Sequence, residues 1–263
     1  MHTNVVTRPS SDEPEFPGPD ELSSIALLLD VDGTILDTAS TPGSVVVPGS
    51  LRSSLEELHA RSGGALALVS GRLIRDLDTL FSPLRLPAIG GHGAEMRLAG
   101  DQAIEARHAD VVGSALRQLV AAAAGDPRVI LEDKGSSLAV HYRLAPQMEQ
   151  LLKNKIAVIV SQVAAQDIEI MHGKAVIEIK SASFNKGEAV RELMKSPPFA
   201  HRRPVFVGDD TTDESVFRVL PMLGGLGYSV ERPIAGVNGT FDSPGDVRCW
   251  LAHLCGRAES HPQ

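Results

Sequence analysis

Asp30 and Asp32 stand one residue apart at the end of an apolar run, Ile25-Ala-Leu-Leu-Leu29, with Gly33 and Thr34 just beyond. At that spacing two carboxylates project to the same side if the chain stays extended. They could share a hard cation, or divide the roles of nucleophile and proton donor. Three more pieces carry related chemistry: Ser70 in Ser70-Gly71-Arg72, Lys186 after Asn185, and the acids of Gly208-Asp-Asp-Thr-Thr-Asp-Glu214. Each has a bland alternative. The first pair is not an EF-hand calcium loop, which needs Gly where Ile35 stands and Glu where Thr41 stands. It could still be a solvated Asp-Gly turn. Ser70 alone suits a helix cap, Lys186 alone a solvated surface, and the acidic run a helix start.

The elements around these residues place them together. An uninterrupted apolar run of five suggests a strand buried on both faces, as in a parallel sheet flanked by helices. Ala65 to Val69 and Pro204 to Gly208 repeat the pattern, each ending in polar residues. In open α/β sheets the ligand site lies beyond the carboxyl ends of the strands, where Asp30, Ser70 and Asp209 would fall. Helical spacing is expected over 48–61, 73–80, 186–194, 213–220 and 247–254, and a short strand over 87–89. Between about 100 and 180 the pattern changes. Strands are expected over 128–132, 137–143, 167–171 and 175–180, with helices over 110–124 and 146–165. Alternation in Leu138-Ala-Val-His-Tyr-Arg143 suggests a sheet with one face open. The expected fold class is α/β, with a parallel-sheet core over 22–100 and 181–263. An α+β domain is inserted over 101–180, and 1–21 form a mobile tail.

Composition narrows the partners. The chain has 263 residues and a formal net charge of -8, with no lysine- or arginine-rich run, so nucleic acid is not an expected partner. No apolar stretch is long enough to span a bilayer. The first residues are rich in proline, serine and acid and lack the apolar centre of a signal peptide. Cys249 and Cys255 form no metal-type pair. A cytoplasmic monomer acting on a small molecule is the expectation.

In their order, Asp30-Val-Asp-Gly-Thr34, Ser70, a lysine opening a helix and Gly208-Asp-Asp-Thr-Thr-Asp-Glu214 resemble the haloacid dehalogenase (HAD) superfamily of phosphotransferases. The resemblance implies a HAD-like Rossmannoid core with a C2-type cap inserted between Ser70 and Lys186. It implies Mg²⁺ held by Asp30, the Asp32 backbone carbonyl and Asp209. Asp30 would attack phosphorus to give an aspartyl-phosphate, while Asp32 would protonate the leaving alcohol and then activate water. Ser70 and Lys186 would stabilise the transferring phosphoryl group. Asp210 and Asp213 would orient waters on the metal and also Lys186.

More specific segments are Ser70-Gly-Arg72, Gly90-Gly-His-Gly-Ala-Glu95, Glu132-Asp-Lys134 with His141-Tyr-Arg143, and Glu178-Ile-Lys180 followed by Asn185-Lys-Gly-Glu-Ala189. From Leu27 to Leu254 they resemble trehalose-6-phosphate phosphatases. That resemblance implies sugar contacts from Glu132, Lys134, Arg143 and Glu178 on the cap, and from Arg72, His92 and Glu95 on the core. A disaccharide phosphate needs such dense polar contacts because its hydroxyls lose water in a closed cleft. Cap movement is expected about links near 97–100 and 181–185. The rival readings are a phosphatase for another sugar phosphate, such as sucrose 6-phosphate or a glucosyl-glycerol-type ester; a sugar phosphomutase; and a non-catalytic module that keeps the fold.

Overall fold

The structure is a computed structural model and describes residues 16–38, 45–106, 112–163 and 168–256. Strand β1 (Ile25–Leu29) is buried throughout and lies between two parallel neighbours, β2 (Leu66–Val69) and β10 (Arg203–Gly208). Its side chains divide by alternation. Ile25, Leu27 and Leu29 join one apolar cluster with α1 (Gly49–Arg61) and α7 (Pro244–Leu254). Ala26 and Leu28 join another, with α5 (Lys186–Leu193) and α6 (Glu214–Val219). A strand with two covered faces needs apolar residues at every position, which explains the unbroken run.

Strand register brings the chemistry to one edge. Leu29 pairs with both Val207 and Leu68, so Asp30, Asp209 and Ser70 emerge side by side where the strands end. Beyond β2 lie α2 (Ile74–Leu80) and the parallel strand β3 (Ala88–Gly90). Four core strands lie outside the sequence expectation: β4 (Glu95–Arg97), β5 (Glu105–Ala106), β11 (Leu226–Val230) and β12 (Gly239–Phe241). The complete order is β12-β11-β10-β1-β2-β3-β4-β5, with β4 and β5 antiparallel. The core sheet thus continues past Gly100 into the stretch assigned to the insert. Residues 16–21, assigned to the tail, pack on the core: Phe16 stacks on Phe241 at 4.3 Å, and Trp250 donates to the Pro17 carbonyl at 3.0 Å. The remainder of the tail lies outside the described residues, as do the ends of the helices expected over 110–124 and 146–165 and the first residue of the strand expected over 167–171.

The inserted segment forms a second, antiparallel sheet from β6 (Ile130–Asp133), β7 (Ser137–His141), β8 (Ile168–Gly173) and β9 (Val176–Ser181), in the order β6-β7-β9-β8. Helices α3 (Ser114–Ala124) and α4 (Glu149–Val163) cover one face through Leu116, Val120, Leu152 and Ile156, packed on Leu138, Val140, Ile177 and Ile179. Alternation sends Glu132, His141 and Glu178 to the opposite face. No helix among the described residues is long and apolar enough to cross a membrane.

Arg97, at the end of β4, anchors the core sheet. It is 1% exposed and donates to both Asp78 oxygens, at 2.7 and 2.6 Å, and to the Leu86 carbonyl. These Arg97 hydrogen bonds hold the Asp78 carboxyl below its usual range. A carboxylate held low stabilises the fold at neutral pH and loses that contribution as pH falls through its folded-state value. Arg97→Met is expected to destabilise the protein by about 2 kcal/mol, because it leaves the Asp78 carboxylate with only Arg85, at 3.3 Å, and a buried carbonyl without its donor. Denaturant midpoints for the variant and the wild type should converge as pH falls from neutral to below the usual carboxylate range. A gap independent of pH would show that packing, not the ion pair, carries the effect.

Candidate active site

The site is built on the ends of β1, β2 and β10 and the first residue of α5. Asp30 is 5% exposed; its Oδ1 accepts from Lys186 Nζ at 2.7 Å and its Oδ2 accepts from Thr34 Oγ1 at 3.0 Å. Thr34 Oγ1 also lies 3.2 Å from Asp209 Oδ1. Gly33 has φ +87°, and a Cβ there would fall 2.2 Å from Asp209 Oδ2, so glycine is what lets the two strand ends close on each other. Lys186 Nζ makes its second contact at 2.6 Å with Asp213, which is 0% exposed. The other oxygen of Asp213 accepts from the backbone N–H groups of Asp209 and Asp210 at 2.9 and 3.0 Å. Asp213 therefore shapes the loop and aims the lysine. Asp210 caps the short turn after β10, accepting from Thr211 N at 2.7 Å.

Charge in this cluster is unbalanced. Burial, with the neighbouring Asp213 second, pushes the Asp30 carboxyl well above its usual range despite Lys186. Burial and the adjacent Asp213 and Asp210 push Asp209 up to about 6. Lys186 is itself raised, because Asp213 and Asp30 outweigh its desolvation. One ammonium does not neutralise this set of carboxylates. Oxygens of Asp30, Asp209 and Asp213 all lie within 4.8 Å of one another. An all-oxygen, carboxylate-rich cluster of this kind suits a hard divalent cation such as Mg²⁺. Asp30 and Asp209 line the cleft whereas Asp213 lies behind it, so Asp30 and Asp209 carry the capacity to hold it.

The second half of the site lies across a cleft of about 1040 Å³ between the two sheets. Ser70 Oγ accepts from Arg72 N at 3.1 Å, which leaves its hydroxyl proton to donate. Arg72 grips Asp32 with Nε and Nη2 at 2.6 and 2.7 Å. His92, held at φ +55°, places Nε2 2.9 Å from Glu178. Burial lowers the His92 pKa, against the opposing pull of the Glu178 carboxylate. Burial works against the Glu178 anion, but His92, Lys134 and Ser137 outweigh it and hold its pKa well below the usual range. Lys134 reaches both Glu178, at 3.3 Å, and the Gly71 carbonyl, at 3.1 Å. Glu132 pairs with His141 at 2.8 Å, and Arg143 donates to the Lys174 carbonyl at 3.1 Å.

Asp30, Asp32, Ser70, Arg72, His92, Glu132, Lys134, Arg143, Lys186, Asp209 and Asp210 all line this cleft. Asp213 and Glu178 sit behind it as supports. Glu95 points elsewhere: it accepts from Ile74 N at 2.8 Å and so caps the start of α2. Sequence reasoning missed Thr34, whose signal was its place in the Asp-Gly-Thr turn. It also missed Glu231 and Arg232, which line the cleft after β11. Arg232 donates to the Asp209 carbonyl at 3.2 Å, and Glu231 meets Lys174 of the inserted sheet at 3.1 Å.

Residues 28–240 match the family model described as trehalose-phosphatase. The chain belongs to the trehalose-phosphatase family. It is 44% identical over 218 residues to a probable trehalose-phosphate phosphatase of Sinorhizobium fredii, covering 81% of this chain and 80% of that one. It is 37% identical to the trehalose-6-phosphate phosphatase of Escherichia coli, covering 94% and 90% of the two chains. Among solved structures, the C-terminal domain of a C. albicans trehalose-6-phosphate phosphatase shares the fold, with a TM-score of 0.78 and 22% identity over 95% of this chain and 100% of that one. The trehalose-phosphatase match spans both sheets and every strand end that faces the cleft.

Proposed function

We propose that this chain is a Mg²⁺-dependent phosphatase that hydrolyses trehalose 6-phosphate to trehalose and phosphate through an aspartyl-phosphate. The observation that carries the reading is Asp30 at the floor of a polar cleft, held by Lys186 and backed by Asp209 and Asp213. A phosphomonoester and a carboxylate repel each other, so the site must supply positive charge. When bound by Asp30, Asp209 and the Asp32 carbonyl, the cation would offset that repulsion.

The protein's own residues do the rest. Asp30 attacks phosphorus while Asp32 protonates the departing sugar oxygen. Lys186 and the Ser70 hydroxyl stabilise charge on the transferring group. Asp32 then takes a proton from water as that water displaces Asp30. Glu132, Lys134 and Arg143 meet the sugar from the insert, which acts as a cap over the core and excludes bulk water. The proposed division keeps β5 in the core, beyond the expected limits of 22–100 and 181–263, and gives the cap α3, α4 and β6 to β9, with the cap moving relative to the core. The cleft is completed within one chain, in keeping with a monomer, and the proposed location is the cytoplasm.

The direct test is a phosphate-release panel over sugar phosphates with purified protein and Mg²⁺. A clear preference for trehalose 6-phosphate is expected, whereas a flat profile would sink the substrate assignment and leave the chemistry. An added acceptor sugar separates hydrolysis from a phosphomutase reaction. Chelation by EDTA is expected to remove phosphate release, and added Mg²⁺ to restore it. Calorimetric Mg²⁺ binding should weaken at least about tenfold in Asp209→Asn, since one charged donor is lost. Unchanged binding would move the metal elsewhere.

A further inference from the structure

Arg72 forks onto Asp32 with two of its guanidinium N–H groups. Both carboxylate oxygens take a guanidinium N–H, at 2.6 and 2.7 Å, and the Arg72 backbone N–H is committed to Ser70 Oγ at 3.1 Å. The ion pair is only partly open to solvent: the Arg72 side chain is 16% exposed and that of Asp32 is 35% exposed. A two-toothed fork fixes the plane and rotamer of a carboxylate, which a single ammonium cannot do. The Asp32 backbone is pinned as well, through a bridge to Leu36.

We propose that Arg72 is the positioning residue for Asp32 and acts mainly in the second half of the reaction, not as a sugar ligand. The inference rests on the phosphatase reading but not on the identity of the sugar. In the first half the Asp30–phosphorus bond forms, the phosphorus–alkoxide bond breaks, and the alkoxide oxygen takes the Asp32 proton. Asp32 emerges as the anion that the fork is shaped to hold. In the second half water attacks phosphorus, the Asp30–phosphorus bond breaks, and the water proton passes to Asp32. A base must be aligned with that water, and misplacement by about 1 Å can slow such a step by about a hundredfold.

p-Nitrophenyl phosphate isolates this step, because nitrophenolate leaves without needing a proton. Arg72→Gln is expected to release about one nitrophenolate per active site in a burst. The steady rate that follows should lie about ten- to a hundredfold below wild type, with phosphoenzyme recovered after acid quench. Arg72→Lys should behave in the same way, and it carries the test if Arg72→Gln does not fold. Restoration of the steady rate by lysine would show that charge suffices and overturn the positioning role. Unchanged turnover of p-nitrophenyl phosphate with a raised KM for trehalose 6-phosphate would make Arg72 a sugar ligand and overturn the inference. Slowing without a burst would also overturn it. If the wild type turns over p-nitrophenyl phosphate but not trehalose 6-phosphate, the substrate assignment fails while the burst still decides the role of Arg72. A wild type inert on both overturns the two together.

Discussion

Asp30→Asn is expected to leave the protein folded while cutting phosphate release by at least about a thousandfold. The amide cannot attack phosphorus, yet it fills the same space and can still meet the Thr34 hydroxyl. Stability separates this from general damage. Burial and the neighbouring Asp213 raise the Asp30 pKa in the folded protein. A carboxyl raised on folding favours the folded state at low pH and loses that contribution as pH rises, so ionised Asp30 opposes folding at neutral pH. In metal-free buffer at pH 7 the variant should therefore melt at the same temperature as the wild type or higher. Such a trade of stability for chemistry is common at active sites. Retained turnover in a folded Asp30→Asn protein would remove Asp30 from the mechanism.

The core strands that carry the chemistry were legible because they are buried on both faces and read as unbroken apolar runs. β11 was not, for a physical reason. Gly227 lies within it where a Cβ would meet the Phe217 ring at 2.7 Å, so a strand position reads as part of a glycine-rich loop. With β11 hidden, Glu231 and Arg232 could not be recognised as strand-end residues. β4 and β5 are too short for any period to show. The start of α7 was expected late, although Ser243 caps it, accepting from Asp246 N at 3.2 Å, with Pro244 in its first turn.

The site was legible in residue type but less so in direction. Glu95 and Glu178 are both glutamates in strands, yet one caps α2 and the other is buried under three partners, one from the core and two from the insert. Nothing local in the sequence distinguishes them, because the distinction lies in contacts between segments far apart in the chain. Alternation in β7 suggested a sheet with one open face, but Ser137 and Ala139 on that face are buried. That face turns toward the core, so the polar pattern built a cleft wall. Arg72 shows the same limit: its type suits a sugar or a phosphate, and only the fold reveals that Asp32 takes its fork.

Lys186→Met is expected to be damaging in two ways at once. The ammonium lies 2.7 Å from Asp30 and 2.6 Å from Asp213, with Asp209 close by. Methionine has similar length but no charge, so the variant would leave Asp30 and Asp213 without the ammonium they share. Removing one partner from a buried ion pair typically destabilises by about 3–5 kcal/mol. Turnover should fall by about 10²–10³-fold, because charge on the transferring phosphoryl group loses a donor aimed at it. The informative readout is thermal melting with and without Mg²⁺. A ligand bound only by the folded state stabilises it by RT ln(1 + L/Kd) at free concentration L, so tighter binding stabilises more. With Lys186 absent, the divalent cation becomes the main neutraliser of the cluster, so Mg²⁺ should raise the melting temperature of the variant more than that of the wild type. An equal shift in the two proteins would mean that lysine and metal do not share the task of balancing Asp30, Asp209 and Asp213.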